Sequence, residues 1–137
     1  MVKRKIIWYG FDMLSVYLEL TRGQLAASKQ QLQHLELCEN KPHVLDDYII
    51  ARIIKLHSEQ IEASLSFKEQ CNKWREQTSD TQQLADIAEV ENNIVALDKT
   101  NKQVLDLANR FKNHTIERVL AKNDIELAFD FLSKLTR

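Results

Sequence analysis

Glycine and proline are nearly missing: Gly10, Gly23 and Pro42 are the only three such residues among 137. A β-rich or α/β fold of this length needs many tight turns, and turns draw on Gly and Pro for backbone geometries that other residues resist. Their scarcity excludes those classes. Cysteine is equally sparse, with only Cys38 and Cys71 and no Cys-x-x-Cys spacing of a redox or zinc pair. Placed on antiparallel helices, the two stand ~40 Å apart, beyond disulfide reach. Two free thiols suit a reducing compartment.

No apolar run approaches the ~20 residues of a membrane span. Lys3, Arg4 and Lys5 precede Ile6, Ile7, Trp8 and Tyr9, the order of a secretory signal. Asp12 interrupts the stretch, however, and no small-residue cleavage site follows. This segment is expected to pack against the bundle rather than anchor at a membrane surface, and the chain is expected to be cytoplasmic.

Chemical motifs are absent too. Glu-x-x-His, the carboxylate-bridged metal signature of helical bundles, fails at His34, His43, His57 and His114, which follow Gln31, Asn40, Ile54 and Phe111 at that spacing. His114 with Glu117 and His43 with Asp46 are single-turn pairs, read as solvated or capping pairs. So little glycine leaves no phosphate-cradling loop or dinucleotide fingerprint, and no Gly-x-Ser-x-Gly elbow occurs. No cofactor, metal or catalytic residue is expected. The net charge of −1 lacks the basic excess of a nucleic-acid binder. Its uneven spread, acidic from Glu76 to Asp98 and basic from Lys99 onward, complements helix dipoles.

What the chain has is helix formers and apolar periodicity. Both predict an all-α fold: an elongated antiparallel bundle of three long, coiled-coil-like helices and a short fourth, in one domain. After an N-terminal segment, 1–10, helix 1 is expected over 11–39, with Phe11, Leu14, Leu18, Thr21, Leu25, Ser28, Leu32 and Leu35 inward. Gly23 leaves its continuity open. Helix 2, 43–76, follows Pro42, with Ile49, Ile53, Leu56, Gln60, Ala63, Phe67, Gln70 and Trp74 inward and a second stripe at Ile50, Ile54, Ile61 and Leu65. So wide an arc suits the central element. Helix 3, 80–121, is expected to open on a capping box of Ser79 and Gln82. Its repeat is unbroken: Ile87, Val90, Ile94, Leu97, Asn101, Val104, Ala108, Phe111, Thr115. Its acidic first half should face Lys68, Lys73 and Arg75 of helix 2. Asn123 and Glu126 frame a capping box for helix 4, 124–135.

Two features bear on function. Gln60, Gln70 and Asn101 interrupt apolar inner lines. They either set register or oligomeric state, form hydrogen bonds within the monomer, such as Asn101 to a helix 2 amide, or line a small polar pocket. Helix 4 carries Ile125, Leu127, Phe129, Phe131, Leu132 and Leu135, apolar nearly all round. Its expected place is on its own bundle, the alternative being a groove on another chain. The expected function is a non-enzymatic protein–protein interaction module, such as a scaffold, adaptor, chaperone or assembly factor, whose partner is another protein, a further copy of itself as a homodimer or higher, or both. A ligand- or metal-binding bundle is the alternative, and an enzyme with a dispersed site the second.

Overall fold

The computed structural model describes residues 7–41, 44–115, 120–121, 124–126, 128–129 and 131–132. No strand occurs among them. A 3₁₀ turn, Phe11–Met13, leads into α1, Leu14–Leu37; α2 is Asp47–Gln77 and α3 is Thr81–Phe111. At 1.5 Å per residue the helices extend ~35–46 Å. The described residues from 124 to 132 belong to a short fourth helix.

α1 runs unbroken through Gly23. A methyl group at Gly23 would meet nothing within 4 Å, so the glycine serves neither a bend nor a close approach. Gly23→Ala is therefore expected to stabilise the protein by about 0.5–1 kcal/mol, the ordinary helix cost of glycine. Thermal unfolding checks this: a rise of a few degrees supports the account, and a fall refutes it.

Carboxylates open the next two helices. Asp46 accepts from the Ile49 N–H at 2.7 Å and Asp80 from the Gln83 N–H at 2.9 Å, each satisfying a first-turn donor. The cap of α3 thus sits one residue beyond the expected Ser79. The reason is Thr78, whose hydroxyl accepts the Asp80 N–H at 3.0 Å and donates to Gln83 Oε1 at 2.5 Å. α2 begins at Asp47, four residues after the expected 43, because Asp46 stands in extended backbone and caps it; Pro42, His43, Glu117 and Asn123 lie outside the described residues.

α3 ends at Phe111, ten residues short of the expected 121. The chain turns there, with the His114 N–H donating to the Phe111 carbonyl at 2.9 Å. This brings the buried Thr115 hydroxyl to Asp47 Oδ1 at 2.5 Å, tying the end of α3 to the start of α2. Thr115 keeps its inward place without the helix continuing to it.

The central element is α3, not α2. α3 packs along both α1 and α2, whereas α1 and α2 make few close backbone approaches to each other. Every inner position expected on α3, from Ile87 to Phe111, is buried. On α2 the buried residues are Ile50, Ile53, His57, Ser64, Gln70, Cys71 and Trp74, while Ile49, Leu56 and Ala63 of the expected line and Leu65 of the second stripe are exposed. α2 packs chiefly on α3, and part of its wide apolar arc faces solvent.

The core has two apolar ends. One joins Leu14, Tyr17 and Leu18 of α1 to Cys71 and Trp74 of α2 and Ile87, Val90 and Ile94 of α3. The other joins Leu35, Ile50, Ile53, Val104, Leu107, Ala108 and Phe111. Between them the interior mixes Leu97 with the buried polar residues Thr21, Ser28, His57, Ser64, Thr100 and Asn101. Ion pairs join α2 to α3 as expected and favour that register: Lys68 Nζ lies 2.9 Å from Asp98, and Arg75 grips Glu91. Lys73 instead stacks over the Trp8 ring at 5.3 Å.

Candidate functional site

The exposed arc of α2 forms one wall of a groove of about 1020 Å³ against the C-terminal half of α1. Leu35 and Ile53, both part of the core, make its floor. Leu37 and Cys38 stand on one side, and Leu45, Tyr48, Ile49 and Leu56 on the other. No α3 residue lines it, so it opens on the face away from α3. Leu56 is 52% exposed and Leu37 82%, an apolar strip without cover. Its rim carries Gln31, His34, Arg52, Lys55 and Glu59, and the Arg52 guanidinium lies 5.6 Å from the Tyr48 ring centroid. One more cation than anion, beside an apolar floor, is chemistry for a partly acidic amphipathic surface.

The groove arises because α2 turns polar residues inward. Asn101, fully buried on α3, accepts from the Ser28 hydroxyl of α1 and meets His57 Nδ1 of α2, each at 2.7 Å. The Asn101 oxygen only accepts, so His57 Nδ1 carries the hydrogen. Ser64 donates to the Ile61 carbonyl of its own helix at 2.8 Å, and its hydroxyl lies 3.2 Å from Asp98 Oδ2. These partners favour the rotation of α2 that leaves Ile49 and Leu56 outside. Asn101 is thus held within the monomer by a histidine and a serine, not by a helix 2 amide. Gln60 is half-buried, and its Oε1, like Asp98 Oδ1 and Asn101 Nδ2, has no hydrogen-bond partner.

Gln70 has a different task from the other two. Its Oε1 accepts the Tyr9 N–H at 2.8 Å, and its Nε2 donates to the Tyr9 carbonyl at 3.3 Å. Trp74 Nε1 donates to that carbonyl at 3.0 Å. The side-chain amide pairs with the backbone as a neighbouring strand would, latching the N-terminal segment onto α2. Gln70→Ala is expected to speed hydrogen exchange at the Tyr9 amide at least tenfold and to cost about 1–2 kcal/mol of stability. Unchanged Tyr9 protection would show that the latch holds nothing.

The described residues of the fourth helix lie outside the core. Ile125, Phe129, Phe131 and Leu132 are each more than half exposed, against the expectation that this helix closes its own bundle. α1–α3 already bury the inner faces they share. Leu127 and Leu135 lie outside the described residues.

Cys71 is buried and Cys38 partly so, in opposite ends of the core. Burial, with Glu91 nearby, pushes the Cys71 thiol up to about 12, leaving it a small apolar group. Among the described residues, no group of three or more His, Cys, Asp or Glu side chains is placed to hold a metal ion, and no helix is long and apolar enough to cross a membrane. Sequence periodicity alone missed the groove, because an apolar face looks the same whether covered or open. Compared with known protein families, curated proteins and solved structures, the chain matches none.

Proposed function

We propose that the protein is a non-enzymatic interaction module that binds an amphipathic, partly acidic helix of a protein partner in the groove between α1 and α2. The observation that carries this is the apolar strip of Leu37, Tyr48, Ile49 and Leu56 around a preformed groove, rimmed by Arg52 and Lys55. A helix laid there would place residues at i, i+3, i+4 and i+7 on the strip. The rim cations would favour acidic partners and speed their encounter.

The test is titration with two synthetic helical peptides of one apolar stripe, one acidic and one basic on the outer face, followed by amide chemical shifts. Binding of the acidic peptide with shifts at Leu37, Tyr48, Ile49 and Leu56, lost in Leu56→Glu, supports the reading. No binding by either peptide, or shifts elsewhere, rejects it.

A second reading, a small polar ligand inside the bundle, has one observation in its favour: the unpartnered Gln60 Oε1, Asp98 Oδ1 and Asn101 Nδ2. A ligand retained through native purification and released on unfolding would support it.

A further inference from the structure

We infer that the helix taken by the groove is the fourth helix of a second copy of this chain, a deepening that rests on the interaction reading above. Two exposed apolar surfaces lie on one molecule. The groove presents Leu37, Tyr48, Ile49 and Leu56, and the fourth helix presents Ile125, Phe129 and Phe131, each over half exposed. Ile125 and Phe129 stand four residues apart and so share a helix face.

Charge matches them. Asp124 and Glu126 bracket Ile125, Asp130 follows Phe129, and no Lys or Arg occurs between Asp124 and Leu132. The groove offers Arg52 and Lys55 against the single acid Glu59. Length matches as well: residues 124–132 make ~13 Å of helix, and the groove wall from Tyr48 to Glu59 ~17 Å.

No described residue of the fourth helix lines the groove of its own chain, so the two apolar surfaces stand apart within one molecule. A two-fold exchange would seat both helices at once, with the same patch used on each subunit, and would close the assembly.

The experiment is light scattering behind a sizing column on the full chain over a wide concentration range, with helicity checked by circular dichroism. A dimer is expected. Leu56→Glu and Phe129→Glu, both at exposed positions, should each give monomers of unchanged helicity. Mixing those two variants should yield a mixed dimer, because one retains an intact helix and the other an intact groove. Arg52→Glu should weaken the dimer roughly tenfold, and Arg52→Glu combined with Glu126→Arg should restore it.

A monomer at every concentration, or a dimer indifferent to Leu56→Glu and Phe129→Glu, overturns the inference. The acidic-peptide titration separates the two levels. A monomer whose groove still binds that peptide leaves the interaction reading standing with another partner. A monomer whose groove ignores it, with the fourth helix intact or deleted, removes both; binding only after deletion means that the helix occupies its own groove.

Discussion

Trp74→Ala is expected to cost about 3–5 kcal/mol, the range for emptying a large buried aromatic site, and to lower the unfolding midpoint by roughly 10–20 °C. Trp74 is fully buried. Its ring stands edge-on to Tyr17 at 5.0 Å and stacks on Phe11 at 6.3 Å, and such pairs add to the area they bury. Its indole N–H also holds the Tyr9 carbonyl, so removal loosens the N-terminal latch with the core. Denaturant unfolding followed by circular dichroism measures the loss. Trp74→Phe should retain most of the packing and forfeit only the hydrogen bond, about 1 kcal/mol beyond the size change. A loss below ~2 kcal/mol for Trp74→Ala would mean that the neighbours collapse into the space, contrary to the packing described.

Asn101→Ala comes next, expected at about 2–4 kcal/mol, and for an opposite reason. Little apolar contact disappears; instead Ser28 and His57 lose the one oxygen that receives both, and each buried donor left without a partner costs about 1–3 kcal/mol. The triple variant Ser28→Ala, His57→Leu, Asn101→Leu removes the donors together with the acceptor. It is expected to recover most of the stability lost by the single variant, because an apolar replacement of a whole buried polar group is often close to neutral. Urea unfolding of the single and triple variants decides. A triple variant less stable than Asn101→Ala would show that the cluster itself stabilises the fold.

The same asparagine marks the border of what the sequence makes legible. α3 is readable position by position, because its inward line from Ile87 to Phe111 is apolar at every step but Asn101. α1 is readable for the same cause: Leu14, Leu18 and Leu35 are buried as its period predicts. α2 is not, since its inward line passes through His57 and Ser64. A count of apolar residues favours the neighbouring line through Ile49 and Leu56. Partners on another helix, His57 to Asn101 and Lys68 to Asp98, favour this rotation, and no single-segment pattern contains them. The groove follows from that rotation and was hidden with it. Likewise Gln70 stands out in the sequence as a polar inner residue, but its pairing with the Tyr9 backbone joins segments sixty-one residues apart.

The central position of α3 has a consequence for how the chain is made. During synthesis α1 and α2 emerge first, yet the surface each of them buries is largely α3. Helices in water draw most of their stability from such packing rather than from their own propensity. Beyond the aromatic contacts of Tyr17 with Phe67 and Trp74, the first two helices have little to hold each other. The growing chain therefore carries two uncovered apolar faces from the completion of α2 until α3, the last long helix, is released.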